Sequence, residues 1–233
     1  HFYHLAKFSD LRLPEFEERL EKTIEVFVYL SQPAYYLPPL GDCNAYEVRT
    51  SEPCSASGAI FNREDFKYIA SEGKIGTPSK ETSYAFPYAG YYVMRDSWRA
   101  DAQYLLFDAG GLGEGHPHED KLNFTLYAHG RPLIIDPGLE QATEVPTTED
   151  RVVKDHVRSS RAHNSLIIDG KGQYRGRMDD EEIIPDPDAR WITAPSFDFA
   201  EGWYKEGYAA DPEDVVSHDF MHKRSIFYVK GAY

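Results

Sequence analysis

One segment, residues 115–138, constrains the fold more than any other part of the chain. Between positions 122 and 127 apolar and polar side chains alternate, which is the two-residue period of a half-buried β-strand. His129-Gly130 follows as a two-residue turn, because glycine adopts a positive φ at little cost. Residues 131–136 then form the returning strand. The pattern therefore predicts a β-hairpin.

The predicted hairpin returns Asp136 to the end of the sheet at which its first strand begins. His116, His118 and Asp120 lie just before that first strand. Imidazoles and carboxylates that converge in this way are suitable ligands for Zn²⁺. In an extended segment His116 and His118 would point the same way, so their spacing alone would make both of them ligands.

The motifs in this segment resemble the C-terminal β-sandwich domain of the heparinase II/III-like polysaccharide lyases. They are Gly-His-Pro-His-Glu-Asp at 115–120 and Ile-Asp-Pro-Gly at 135–138. A second block, Ser-Ser-Arg-Ala-His-Asn-Ser at 159–165, is similar to the same family. The resemblance is clear over residues 84–175. It implies a mainly β fold, an antiparallel β-sandwich preceded by a few helices from the end of an α/α toroid.

The resemblance also implies an activity and a division of roles among the histidines. The family cleaves uronate-containing polysaccharides by β-elimination. His118, Asp136 and His163 would bind Zn²⁺, whereas His116 would face the substrate as a catalytic residue. Asp120 would orient a ligand histidine through a hydrogen bond, as metal sites commonly require.

Two further candidates follow from the chemistry of elimination. The family commonly uses a tyrosine as acid or base, and a tyrosine needs nearby positive charge to ionise because its ordinary pKa is about 10. Tyr3, in the pair Tyr3-His4, is the catalytic candidate within this chain, and a residue before His1 is the alternative. Arg161 adjoins His163 and would bind a sugar carboxylate or sulfate through both guanidinium nitrogens.

Each of these residues also has an ordinary structural interpretation. The histidines would then make local hydrogen bonds in loops, Asp136-Pro-Gly would be a plain turn, and Tyr3 would pack on a helix. Two other functions stay open. One is a non-catalytic carbohydrate-binding sandwich with a structural zinc. The other is a zinc-dependent hydrolase or oxygenase that uses His116, His118, Asp136 and His163 as ligands.

The pattern along the chain predicts three regions. Residues 1–31 are predicted to be helical, because apolar residues recur at steps of three and four, and Pro33 ends the helix. We therefore assign 1–40 to the end of the helical toroid, 41–83 to a linker and 84–233 to the sandwich, which we expect to be truncated at its C-terminus. The predicted strands are 91–96, 103–108, 122–128, 131–136, 165–168, 191–194, 197–204 and 223–230, with a long polar loop at 139–162.

Composition limits the partners. The chain has 233 residues and a net charge of −14, and no basic patch that would neutralise phosphates, so we expect no nucleic acid. No apolar run is long enough to span a membrane. The expected partners are an acidic polysaccharide and, as an open alternative to a monomer, a second copy in a homodimer. The family implies a periplasmic or secreted protein. Cys43 and Cys54 either form one disulfide or are both free.

Overall fold

The computed structural model describes residues 14–43, 48–111, 118–139, 148–174, 188–210 and 216–231. Its helices are α1 (Pro14–Leu30), α2 (Ser51–Ile60), α3 (Glu64–Ala70) and α4 (Thr148–Arg158). Its strands are β1 (Tyr84–Phe86), β2 (Tyr91–Arg95), β3 (Tyr104–Asp108), β4 (Asn123–Ala128), β5 (Arg131–Ile134), β6 (Gly172–Gln173), β7 (Arg190–Thr193), β8 (Phe197–Tyr204), β9 (Tyr208–Ala209) and β10 (His222–Val229). A short 3₁₀ turn, Ser160–Ala162, follows α4.

The strands form antiparallel sheets. The largest is a five-stranded meander in the order β1-β2-β3-β4-β5, in which each strand pairs with its neighbour in sequence. A second sheet has the order β10-β8-β7, and β6 pairs with β9 in a two-stranded ribbon. Most of these connections are short, so that antiparallel pairing follows directly from the hairpin signals in the sequence.

The two larger sheets pack face to face around an aromatic core. The meander contributes Tyr92, Met94, Leu105 and Phe107, and the second sheet contributes Ala200, Tyr204 and Tyr228. Burial of this apolar area is the main favourable contribution to folding. The prediction of an antiparallel β-sandwich preceded by helices is confirmed.

The other face of the meander is covered by the end of α1 and the segment after it. Leu30 packs with Val93, Tyr104, Leu106 and Tyr127. Strands β2 and β3 are consequently buried on both faces, which explains why their sequences are runs of apolar residues rather than alternating patterns.

A buried arginine joins α1 to the sandwich. Arg95, on β2, is almost completely buried and donates from Nη2 to the carbonyl of Ser31, just after α1. Its guanidinium lies 4.1 Å from the ring centroid of Trp98 and 4.9 Å from that of Tyr104. Burial lowers its pKa to about 10, so that it remains a cation at neutral pH. Helix C-termini and aromatic faces both favour a cation, which compensates for the desolvation.

The predicted β4–β5 hairpin is present, with His129 and Gly130 at its tip. Their φ angles are 54° and 74°, the pair of positive values that a type I′ turn requires. Except for residues 165–168, each predicted strand is present within two residues at each end. The predicted strand at 165–168 is wrong, because only Ile168 makes a bridge there, to Lys171.

Two predicted loops contain helices. The 41–83 segment carries α2 and α3, which pack with α1 through Cys54, Phe66 and Ile69. The sequence of α2 is rich in serine, glycine and alanine and includes Pro53 in the first turn, where proline is tolerated, so it resembles a loop. In the 139–162 segment, α4 has exposed valines rather than a buried stripe. The division at residues 40 and 83 stays a prediction.

The cysteines and the helices bear on two smaller expectations. Cys43 and Cys54 are both free, so the disulfide alternative is wrong and the free alternative is confirmed. Among the described residues, no helix combines the length and the apolar character that crossing a membrane requires.

The hairpin generates a prediction with a matched control. A Cβ at Gly130 would meet nothing within 4 Å, but φ is +74°, so Gly130→Ala should destabilise the fold by about 1 kcal/mol through backbone strain alone. Gly111 has equal space and no positive φ, so Gly111→Ala should change stability by less than about 0.5 kcal/mol. Urea unfolding measures both. Equal effects would contradict the type I′ assignment.

The buried arginine generates a second prediction. Arg95→Ala should lower the free energy of unfolding by about 2–4 kcal/mol, because it creates a cavity between two rings and leaves a buried carbonyl without its donor. Arg99 is exposed and paired with Asp101, so Arg99→Ala should cost less than about 1 kcal/mol. Denaturant unfolding of the two variants makes the comparison, and a small loss for Arg95→Ala would refute this role.

Candidate metal centre

Three segments meet at the end of the β4–β5 hairpin opposite its turn. They are the residues just before β4, the end of β5 and the turn after α4. The backbone N–H of Glu119 donates to the carbonyl of Arg158 at 2.8 Å, and the N–H of Ser160 donates to Glu119 Oε2 at 2.9 Å. Glu119 is half-buried and connects two of the segments through these hydrogen bonds.

Two histidines converge in this place. The side chains of His118 and His163 are fully buried, and His118 Nδ1 lies 3.2 Å from His163 Nε2. Asp120 joins them, since one potential ligand atom from each of the three residues lies within 4.8 Å of the others. Two nitrogen ligands at about 2.0–2.1 Å from a tetrahedral Zn²⁺ are roughly 3.3 Å apart, so the spacing of the imidazoles fits such an ion.

Asp136 approaches the second nitrogen of His163. Its Oδ2 lies 3.2 Å from His163 Nδ1, yet that nitrogen is buried and has no hydrogen-bond partner. Asp136 also accepts from Asn123 Nδ2 at 2.5 Å and from the N–H of Gly138 at 2.8 Å. An imidazole nitrogen is here buried beside a carboxylate oxygen without a hydrogen bond between them. Two such atoms fit the role of ligands to one cation better than that of a hydrogen-bonded pair.

The geometry thus offers two ligand sets. His163 presents Nε2 to His118 and Nδ1 to Asp136, and one ion binds a given imidazole through only one nitrogen. The first set is His118, Asp120 and His163 through Nε2. The second set has Asp136 in place of Asp120 and uses Nδ1 of His163. The sequence prediction that Asp136 is a ligand and that Asp120 orients a histidine stays a prediction.

The electrostatics of the site favour a cation. Burial raises the pKa of Asp120 to about 6, and burial with the nearby Asp120 raises that of Asp108 well above its ordinary value. Burial lowers the pKa of His118. Burial also acts to lower the pKa of His163, but the adjacent carboxylates of Asp136 and Asp120 outweigh it and raise that pKa. Buried carboxylates in excess of nearby positive charge are costly, and a divalent ion would offset that cost.

Two residues that the sequence did not indicate complete the surroundings of His118. Its Nε2 lies 3.0 Å from Asp42 Oδ1, and Arg158 donates to both carboxylate oxygens of Asp42, from Nε at 2.9 Å and from Nη2. Asp42 lies 76 residues before His118 and follows a glycine, which is typical of a turn. No local pattern could have found it.

Two asparagines hold the segments in register. Asn164 donates from Nδ2 to the carbonyls of Phe124 and Ile135 at 3.1 and 3.0 Å. Its backbone N–H donates to Asn123 Oδ1 at 3.1 Å. Asn164 lies in the block at 159–165 and Asn123 in the alternating strand, and neither pattern indicated these hydrogen bonds.

The structure describes only one of the three remaining predicted residues. His116 and Tyr3 lie outside the described residues. Arg161 is exposed, and its Nη2 donates to the carbonyl of Gly170 at 2.8 Å. Its predicted role in substrate binding is untested by this contact.

Comparisons with known proteins agree with the fold and the motifs. The heparin-sulfate lyase of Pedobacter heparinus is 26% identical over 186 residues, which cover 77% of this chain and 28% of that protein. The heparin-sulfate lyase of Bacteroides stercoris is 25% identical over 224 residues, covering 94% of this chain and 30% of that protein. An alginate lyase of Stenotrophomonas maltophilia is 32% identical over 68 residues, which are 28% of this chain and 9% of that protein.

Solved structures extend the likeness over nearly the whole chain. A heparinase III structure superposes with a TM-score of 0.75 at 21% identity, covering 96% of this chain and 32% of that one. The heparan sulfate lyase HepC of Pedobacter heparinus gives 0.74 at 22% identity, covering 97% and 33%. The chain therefore spans about a third or less of the length of these relatives. The family described as "Heparinase II/III-like, C-terminal" matches residues 78–233, and the chain belongs to that family.

Proposed function

We propose that this chain is part of a polysaccharide lyase that cleaves a uronate-containing polysaccharide by β-elimination. The observation that carries the proposal is the convergence of His118 and His163 with Asp120 and Asp136 in a member of this family. The named relatives act on heparin-sulfate and alginate, two acidic polysaccharides, which supports the same class of substrate here. The relatives' activity supports a periplasmic or secreted location as part of the proposal.

The metal in the proposal is Zn²⁺, held by His118, Asp136 and His163, with Asp120 beside them. Imidazole nitrogens and a carboxylate oxygen form a donor set that suits zinc. The orphaned Nδ1 of His163 beside Asp136 is the feature of the site that fits an ion. Bound zinc would cross-link the residues before β4 to the turn after α4, and so hold the loop that carries His116.

The proposed chemistry belongs to His116 and Tyr3 rather than to the metal ligands. A base must remove the proton α to the uronate carboxylate, and an acid must protonate the departing glycosidic oxygen. A histidine with an ordinary pKa near 6.5 exchanges protons at neutral pH, whereas an imidazole bound to zinc has given up its lone pair. Arg161, with its exposed guanidinium, is the proposed partner of the substrate's negative groups.

One observation favours a second function. The side chains of His118, His163 and Asp136 are completely buried, and structural zinc sites are closed to solvent in this way. A non-catalytic carbohydrate-binding sandwich with a structural zinc is therefore the alternative. The same burial disfavours a zinc hydrolase, since catalytic zinc keeps a coordination position open to water or substrate.

The metal site makes a direct prediction. Zinc at 100 times its dissociation constant should stabilise the protein by about 2.7 kcal/mol, and a chelator should reverse the effect, because an ion that binds only the folded state shifts unfolding by mass action. His118→Ala should remove this stabilisation. His156→Ala, which changes an exposed histidine on α4, should leave it intact. Thermal or urea unfolding with and without zinc is the measurement, and identical curves would contradict the site.

The zinc content of two further variants distinguishes the two ligand sets. If Asp136 is a ligand, Asp136→Asn should lower the stoichiometric zinc content while Asp120→Asn weakens binding only in part. The opposite ranking would make Asp120 the ligand and Asp136 the residue that orients His163.

The lyase makes a further prediction for the full-length enzyme. His116→Ala should reduce elimination by at least about 100-fold, because positioned acid–base catalysis contributes on that scale. Its zinc content and melting temperature should stay close to wild type. Formation of the unsaturated uronate is followed by its ultraviolet absorbance. Loss of zinc in the variant would make His116 a ligand, whereas full activity would make it a bystander.

A further inference from the structure

Asp42 determines which nitrogen of His118 is available to a metal. A carboxylate only accepts hydrogen bonds, so the 3.0 Å contact with Asp42 Oδ1 requires that His118 Nε2 carries the proton. The neutral imidazole then has its lone pair on Nδ1. That is the nitrogen that faces His163 at 3.2 Å.

Asp42 is itself held in place by a guanidinium. Arg158 donates to Asp42 from both Nε and Nη2. The Asp42 side chain is only 11% exposed and that of Arg158 only 20%. Two parallel charge-assisted hydrogen bonds fix the plane of a carboxylate as well as its position. The orientation of His118 is therefore set through Asp42 by a residue at the end of α4.

The backbone at Asp42 is also packed tightly against the site. The N–H of Leu139 donates to the carbonyl of Cys43 at 3.1 Å. A Cβ at Gly138 would lie 2.2 Å from that same carbonyl oxygen, so only glycine permits this approach. The N–H of Gly138 in turn donates to Asp136. Asp42 thus comes from the segment after α1, outside the sandwich strands, yet its position is fixed relative to the metal site.

We infer that Asp42, held by Arg158, is a positioning residue for the metal site: it fixes the Nε2–H tautomer of His118 and leaves Nδ1 as the ligand atom. This inference rests on the proposed metal site. Carboxylates that hydrogen-bond a ligand histidine typically contribute 10- to 100-fold in metal affinity, because they fix the ring and raise its basicity. Asp42 joins the segment after α1 to that site.

The test is a zinc competition titration against a chromogenic chelator. Asp42→Ala should raise the dissociation constant for zinc by about 10- to 100-fold. Asp42→Asn can still accept the Nε2 proton without a charge, so its affinity should fall between Ala and wild type. Arg158→Lys loses the bidentate hydrogen bond to Asp42 and should weaken zinc binding. Combining Arg158→Lys with Asp42→Ala should raise the dissociation constant for zinc little beyond that of Asp42→Ala alone, since Arg158 acts through Asp42.

The chain offers a matched control. Arg63 grips Asp65 with the same two nitrogens, at 2.9 and 2.6 Å, and the Asp65 side chain is also 11% exposed. This pair lies in the helical part, at the start of α3. Asp65→Ala should therefore lower thermal stability without changing zinc affinity. If Asp42→Ala behaved like this control, its role would be structural only and the inference would be refuted.

A readout in the metal-free protein covers the case in which Asp42→Ala does not fold. Long-range ¹H–¹⁵N spectra of wild type should show His118 protonated at Nε2, and Asp42→Asn should mix the tautomers. Unchanged tautomers and zinc affinity in Asp42→Asn would refute the inference alone. Failure of the wild-type protein to take up zinc would refute the proposed metal site and the inference with it.

Discussion

The side-chain amide of Asn123 connects the segments on which the site depends. Its Nδ2 donates to Asp136 at the end of β5, and its Oδ1 accepts the N–H of Asn164 after α4. Because one buried amide satisfies a donor and an acceptor from two other segments, the position of His163 follows from the register of the hairpin. The sandwich core holds that register, since a slip by one residue would turn the apolar side chains of β4 outward.

The site is costly for the protein to maintain. Asp108, Asp120 and Asp136 are brought together with two imidazoles, and burial raises the pKa of Asp120 and Asp108. Hydrogen bonds from Gly110 and Gly138 relieve part of the cost, but they add no charge. Such concentrations of buried acid occur at functional sites more often than in purely structural cores. The arrangement therefore supports the proposed cation rather than a role in stability alone.

The sequence predicted what depends on local periodicity. Alternating residues and short apolar runs predicted the strands, and glycine at position 130 predicted the two-residue turn, because both signals lie in neighbouring residues. It missed α2 and α4, which have small or exposed side chains and gain stability from their surroundings rather than from an apolar stripe. It also missed Asp42 and Arg158, because a contact across 76 residues leaves no trace in spacing.

The burial of the proposed ligand side chains separates the roles of neighbouring residues. His118 is enclosed by Asp42, His163 and the hairpin, so an ion bound to it would have no direct route to a polysaccharide. His116 is only two residues earlier in the sequence, so in the proposed lyase a fixed His118 would limit the positions open to it. In the proposed lyase, a closed metal site would contribute to elimination by fixing the residues next to it in the sequence. The proposed lyase and the alternative, a carbohydrate-binding sandwich with a structural zinc, then differ only in what His116 contacts.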